Sequence, residues 1–287
     1  MLRFKSGFEN PIIVVHYTDG SASWLSGADG TGYDWDNLAH VINYVVPNSY
    51  PNHIYTELST ARSKSGSRSL YGKVIDSYSG AGQTARQELA VYMHDGVGGY
   101  PIGGRGALIM PYMSKYFLSY WMFIPSAYDI SIGGWDNIFE DTEWASPASS
   151  LAIFLNRDSL GLYWRVHGIR RTDPWTYWWS GNNREVAVPK NQWFKVGVYV
   201  ERHPTNGVFR MWIDGVQIFN FQSVQTKVLL DEHYVDVFKM YGEFGIYPVE
   251  RWRDDLEIWD SLPIVGPAHN LTINSTPQGI PFDIRRV

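Results

Sequence analysis

The segment 188–219, VPKNQWFKVGVYVERHPTNGVFRMWIDGVQIF, constrains the fold more than any other part of the chain. Phe194, Val196, Val198 and Val200 fall on one side of an extended backbone, and Trp193, Lys195, Tyr199 and Glu201 fall on the other. That alternation is the signature of a strand with one buried face. Asp214-Gly215 then supplies the pair tolerant of positive φ that a tight hairpin requires. Two long antiparallel strands of this kind need further strands beside them and a second layer to cover the apolar face.

A chain of 287 residues, 44% of them hydrophobic, can bury one large core, so one main domain over 1–262 is expected. The formal net charge of -5 carries no massed basic face, which excludes a sequence-independent nucleic-acid binder. Without cysteine there is no disulfide, no thiolate metal site and no cysteine nucleophile. Apolar runs such as 116–125 are far shorter than a membrane span requires, so no membrane partner is expected. The opening MLRFKSGFEN lacks the apolar stretch of a leader; an exported protein would have lost it.

Clear strand patterns occupy Ala85–Met93, Tyr116–Ile124, Leu151–Leu155, Leu162–His167, Phe194–Glu201, Phe209–Ile213, Phe238–Tyr247 and Asp255–Trp259. Gly/Ser/Asp/Asn clusters separate shorter apolar segments through the first hundred residues, and the only stretch with a helical turn is Ser223–Val235. The pattern predicts an all-β sandwich or jelly roll. Beyond Trp259 the sequence SLPIVGPAHN reads as a linker, with a boundary near Leu262. Residues 263–287 are then a linker and terminal strand, either opening a further domain of the same polypeptide or folding back as an edge strand. Thirteen Trp and nineteen Tyr offer flat amphipathic surfaces that suit the C–H faces of sugars, so a polysaccharide or oligosaccharide partner and an extracellular or cell-surface setting are expected.

The order of segments GFENP, GSRSL, TARQEL, YFLSYWMFIPSAYD, WFKVGVYVERHPTNGVFRMWIDG and KMYGEFGIYPVERWRDDLEIW resembles the polysaccharide-lyase jelly rolls of the glucuronan-lyase and alginate-lyase type, over roughly residues 7 to 260. The resemblance implies a concanavalin-A-like β-sandwich of two antiparallel sheets with a concave carbohydrate-binding face. It also implies that Arg86 and Glu88 help to hold substrate, and that a structural Ca²⁺ bridges Glu9 and Asp255. In the lyases a Tyr-x-Lys-x-Gly-x-Tyr strand carries the proton-transferring tyrosine. Here Tyr241, Gly245 and Tyr247 match and Glu243 replaces the lysine. The Gln-x-His element of those lyases has no counterpart in Trp135–Trp144.

Residue by residue, period 2 places Arg86, Glu88 and Tyr92 on one face, as substrate contacts or as a cross-strand ion pair. It places Tyr241, Glu243 and Tyr247 on another such row. Tyr163, Arg165 and His167 form a third, fit for binding an anion and moving a proton near neutral pH, or simply a polar outer face. Glu140 joins Glu88 and Glu243 as the carboxylates that a glycoside hydrolase would need. Trp175, Trp178 and Trp179 read as a sugar-stacking loop, with Trp24, Trp35 and Trp135 as further platforms. Three readings remain: a lyase removing the proton beside a uronate carboxylate neutralised by Arg86 or Arg165, a hydrolase, and a non-catalytic binding module.

Overall fold

The computed structural model describes residues 1–9, 13–16, 23–26, 37–42, 54–75, 85–94, 110–143, 148–171, 176–228 and 232–263. In chain order the strands are β1 (Leu2–Ser6), β2 (Ile13–His16), β3 (Ser23–Ser26), β4 (Asn37–Ile42), β5 (Ile54–Ser59), β6 (Ser69–Val74), β7 (Ala85–His94), β8 (Met110–Pro111), β9 (Lys115–Phe123) and β10 (Trp135–Glu143). They continue with β11 (Ala148–Asp158), β12 (Gly161–Arg171), β13 (Thr176–Asn183), β14 (Trp193–Glu201), β15 (Gly207–Ile213), β16 (Val216–Val224), β17 (Glu232–Asp236), β18 (Met240–Glu243) and β19 (Val249–Trp259). One sheet runs β16-β15-β14-β9-β19-β6-β5, with β1 also on β19. The other runs β13-β12-β11-β10-β17-β7-β4-β3-β2, with β18 between β10 and β7 and β8 on β7. The protein is an all-β jelly-roll sandwich, and no helix occurs among the described residues.

The hairpin forms as its sequence demands. Asp214 and Gly215 take φ of 48° and 80°, and β15 turns directly into β16. Phe194, Val196, Val198 and Val200 all enter the core. The described part of Ser223–Val235 is strand and irregular chain, with its far end in β17, and 229–231 lie outside the described residues. One expectation is corrected. The strand expected over Phe238–Tyr247 stops at Glu243, because Gly245 at φ 67° turns the chain; Tyr247 therefore does not continue the row of Tyr241 and Glu243. The terminal stretch 264–287, with the sequons at Asn270 and Asn274, lies outside the described residues.

β17 and β18 occupy one lane of the larger sheet in two halves. Glu232–Asp236 pairs with β7 residues Ala90–His94, whereas Met240 and Tyr241 pair with Gln87 and Arg86. On the other side, β10 answers the break with an irregularity between Asn137 and Phe139. Val237, Phe238 and Lys239 fill the interruption, and Phe238 drops into the core, edge-on to Tyr120 at 5.3 Å.

The space between the sheets is apolar with a polar seam through it. Tyr116, Leu118, Tyr120, Ile153, Leu155, Trp164, Val166, Phe194 and Phe209 fill the core. Across it, Arg251 of β19 pairs with Asp136 of β10 at 2.9 and 3.0 Å, and the Tyr128 hydroxyl donates to the same carboxylate at 2.7 Å. Arg251 Nη2 and Arg253 Nη2 both donate to the Lys239 carbonyl, at 2.9 and 2.7 Å. Arg202 bridges Asp141, at 2.5 Å, and Glu143, all three wholly shielded from water. Tyr116 donates to the other oxygen of Asp141 at 2.6 Å.

Buried charges of this kind are costly when one partner is removed, because the survivor keeps its desolvation penalty. Replacing Arg202 with Met takes from Asp141 and Glu143 the guanidinium that they share. The expected loss, read from the denaturant midpoint, is about 3–5 kcal/mol.

Candidate functional site

The larger sheet's outer face collects the side chains with chemistry, and strand register explains how. Val91 and Met93 of β7 point into the core, and the backbone register of β7 sets which positions of the neighbouring strands share a row. Arg86 lies opposite Tyr241, Tyr241 opposite Asn137, Asn137 opposite Phe154, and Phe154 opposite Arg165. One row thus joins β7, β18, β10, β11 and β12. The neighbouring row runs Glu243, Trp135, Asn156, Tyr163. A third runs Ala90, Asp236, Glu140, Ala152, His167.

Across these rows runs a diagonal of touching rings. Tyr241 meets Trp135 with centroids 5.2 Å apart, Trp135 meets Phe154 at 5.7 Å, Phe154 meets His167 at 4.7 Å, and His167 meets Tyr177 at 5.2 Å. Each of five adjacent lanes contributes one ring, and each pair is tilted or edge-on, the favoured arrangement for aromatic quadrupoles. Along this diagonal Trp135, Phe154, Asn156, Arg165, His167 and Tyr177 enclose a hollow of about 220 Å³. Tyr177, 43% exposed, forms its outer wall.

Arg165 is the one formal charge among these lining residues, and it makes no ion pair among the described residues. His167 beside it is neutral. Burial, and secondarily the charge of Arg165, pushes its pKa down to about 3. Its Nδ1 is buried without a partner, as is Oδ1 of Asn156 at the opposite end of the hollow. Such atoms carry a desolvation cost that a ligand's hydroxyl could relieve. The proton shuttle near neutral pH expected of His167 is therefore corrected: the imidazole stays uncharged there.

A second hollow, of about 390 Å³, adjoins the first. Ser131, Ile132, Gly133, Gly134, Glu243, Gly245 and Tyr247 line it. Gly133 and Gly245 both adopt positive φ, and the two loops pass close at Gly134 and Gly245, where a Cβ would meet the Glu243 carbonyl oxygen at 2.5 Å and Ser131 Oγ at 2.2 Å. Glu243 stands exposed opposite Trp135, while Tyr247 packs on Phe244 at 5.7 Å. The intervening Gly242 lies flat on β10: a Cβ there would meet the Trp135 carbonyl oxygen at 2.0 Å.

Glu140 is buried in an ion pair with Lys239, whose ammonium also lies 3.2 Å from Asp236 and 5.7 Å from the centroid of the Tyr241 ring. Nδ2 of Asn137 donates to Glu140 at 3.2 Å. The same ladder thus receives its cation from Lys239, two residues before Tyr241, rather than from position 243.

Other expected residues fall elsewhere. Trp179 is buried between Phe209 and Phe221 and donates to the Gln225 carbonyl at 2.7 Å, because Gly168 leaves room for its indole; it is core, not a stacking surface. Trp178 packs against the same core, and Trp175 and Trp35 lie outside the described residues. Tyr163 lies under the Arg184 guanidinium at 3.8 Å. Arg86, Glu88, Tyr92 and Trp24 are placed by their backbone register alone. Glu9 accepts hydrogen bonds from Ser67 N, Arg68 N and Ser67 Oγ, chiefly the Arg68 amide holding its pKa below the usual range. Asp255 accepts from Ser65 Oγ at 2.6 Å. Both carboxylates thus collar the loop 64–68. Among the described residues no group of three or more His, Asp or Glu could hold a metal.

Phe154, Asn156, Tyr177 and Lys239 were not singled out from sequence. Tyr177 sat inside the flagged aromatic cluster, and Lys239 shares the period-2 row of Tyr241. Phe154 lay inside the strand expected over Leu151–Leu155, and Asn156 falls just past its end because β11 continues to Asp158.

No protein-family model and no curated protein matches this sequence. The structure is similar to an alginate lyase, vAL-1, from Chlorella virus, with 8% identity and a TM-score of 0.48 over 80% of this chain and 93% of that one. It is also similar to an endo-1,3-beta-glucanase from Streptomyces sioyaensis, with 11% identity and a TM-score of 0.46 over 90% and 95%. A botulinum neurotoxin serotype D/C binding domain gives 12% identity and 0.45, over 91% of this chain and 49% of that chain.

A neutral imidazole in the fold has a sign that can be measured. The unfolded chain takes up the His167 proton below about pH 6.5, while the folded chain refuses it until about pH 3. The stabilisation is whole above pH ~6.5 and is lost as pH falls through that window. In NMR the His167 ring signals should stay flat between about pH 5 and 8. His167→Gln should lose less stability than the parent on acidification, a comparison in which the opposing contribution of Asp254, pushed up to about 6 by burial, cancels.

Proposed function

We propose that the protein binds an acidic polysaccharide across the outer face of its larger sheet and cleaves it by β-elimination. The observation that carries this reading is the first hollow: stacked rings, two buried unpartnered polar atoms, and a guanidinium without a counter-charge among the described residues. Ring faces suit the C–H faces of a sugar, the polar atoms suit its hydroxyls, and Arg165 suits a uronate carboxylate.

Arg165 and Tyr241 share a register row three lanes apart, about 14 Å between Cα atoms. Two long side chains leaning together leave a gap on the scale of one sugar ring. With the carboxylate held by Arg165, the charge that builds up as the neighbouring C–H is deprotonated is stabilised where it forms. A base with a pKa of about 3 has little drive to take that proton, which leaves Tyr241, beside the Lys239 ammonium, as the proton acceptor and His167 as a hydrogen-bonding wall. The electron pair from the broken C–H forms the ring double bond as the bond to the 4-linked oxygen breaks, and the proton that the Tyr241 phenolate has accepted passes to the leaving oxygen.

Hydrolysis has less support. A glycosidase needs two carboxylates about 5–10 Å apart. Among the described residues the first hollow has none and the second has Glu243 alone, while Glu140 is sealed against Lys239. A polymer of this kind is met outside the cell, and we place the protein there or at the cell surface.

Incubation with uronic-acid polymers should give products with the ultraviolet absorbance of an unsaturated uronate. Tyr241→Phe should lower kcat by about 10²-fold or more while leaving binding in place, and Arg165→Gln should weaken both. New reducing ends without that absorbance would establish a hydrolase instead, and binding without any cleavage would establish a binding module.

A further inference from the structure

The charges on the outer face are mostly spoken for. Lys239 serves Glu140 and Asp236, Arg157 pairs with Asp129, and Arg184 pairs with Asp158. Arg165 and Glu243 differ: neither makes an ion pair among the described residues, and each is the only formal charge among the residues lining its hollow. The hollows are contiguous, since Trp135 walls the first, Gly134 the second, and Glu243 lies in register with Trp135. Glu243 and Arg165 cannot satisfy each other. They sit three lanes and two residues apart, on the order of 15 Å between Cα atoms.

A polymer lying along this face meets a cation in one hollow and a carboxylate in the next. A second uronate beside Glu243 would place like charges together with no cation among the described residues lining that hollow to separate them, which disfavours it. A sugar bearing only hydroxyls, an acetamide or an amine meets no such penalty, and each can donate hydrogen bonds to the Glu243 carboxylate. Beside it the 69% exposed Ile132 offers apolar contact to such a sugar's ring or acetyl methyl.

Resting on the acidic-polysaccharide reading above, we infer that the ligand is a mixed polymer, in which uronic acids are interleaved with sugars that carry no carboxylate, and not an unbroken polyuronate. Arg165 selects the acidic unit and Glu243 excludes a second one from the adjoining hollow.

The test is calorimetric titration at low salt with three probes: alginate as an unbroken polyuronate, unsulfated chondroitin as an alternating uronate and N-acetylhexosamine, and a neutral β-glucan. The parent protein should bind chondroitin about tenfold more tightly than alginate. Glu243→Gln, an exposed change that leaves the thermal midpoint in place, should tighten alginate binding about tenfold and alter chondroitin binding by no more than about twofold. Arg165→Gln should weaken both acidic polymers. Alginate bound as tightly as chondroitin, by parent and Glu243→Gln alike but still sensitive to Arg165→Gln, would overturn the inference and leave the acidic-polysaccharide reading standing. Binding of the neutral glucan alone, or of no polymer, would overturn both.

Discussion

One backbone carbonyl, that of Lys239, organises the centre of this sandwich. Two guanidinium groups from β19 close on it from the opposite sheet, at 2.9 and 2.7 Å, in the gap between β17 and β18. A carbonyl turned inward at that point releases the lane from regular pairing and sends the Lys239 side chain outward, where it meets Glu140 and Asp236. The arrangement is expensive. Arg251 has Asp136 as counter-charge, but among the described residues Arg253 has this carbonyl and the face of Phe238 without an ion pair, and burial pushes its pKa down to about 9. Pinning both the irregular lane and the polar cluster above it offsets that cost structurally, because nothing local in Val237-Phe238-Lys239 would otherwise hold one conformation.

Above the clamp, the outer face divides its labour by strand. The ring diagonal needs one aromatic side chain per lane, at offsets that follow from the antiparallel pleat. Packing each ring against the next limits its rotamer freedom before any ligand arrives, which reduces the ordering cost of binding. Burial acts differently on the polar members. It silences His167 as a titrating group near neutral pH, while Arg165 beside it is only partly covered.

What the sequence revealed follows the range of the interactions involved. The β15–β16 hairpin and the parity of β7, β12 and β14 were legible because they depend on neighbours one or two residues away. Tyr247 was misassigned because one glycine's positive φ ended the strand that periodicity would continue. Trp179 was misassigned for a nonlocal reason: the room for its indole comes from the absent side chain of Gly168 on the neighbouring strand. The row joining Arg86 to Tyr241 depends on register between segments about 150 residues apart, which alternation within either strand cannot specify. The calcium expectation at Glu9 and Asp255 rested on likeness, and the residues themselves serve the loop at 64–68.

Gly242 and Glu243 are neighbours with opposite tolerances. The first is clamped so tightly on β10 that even a methyl group would strike backbone, and the second projects freely from the same four-residue strand. Variation is thereby channelled: drift at 242 is eliminated as a folding defect, while drift at 243, like that at the exposed Tyr177, is visible only through what the surface recognises. A scaffold partitioned this way can change the chemistry of its surface by single steps, without first acquiring spare stability.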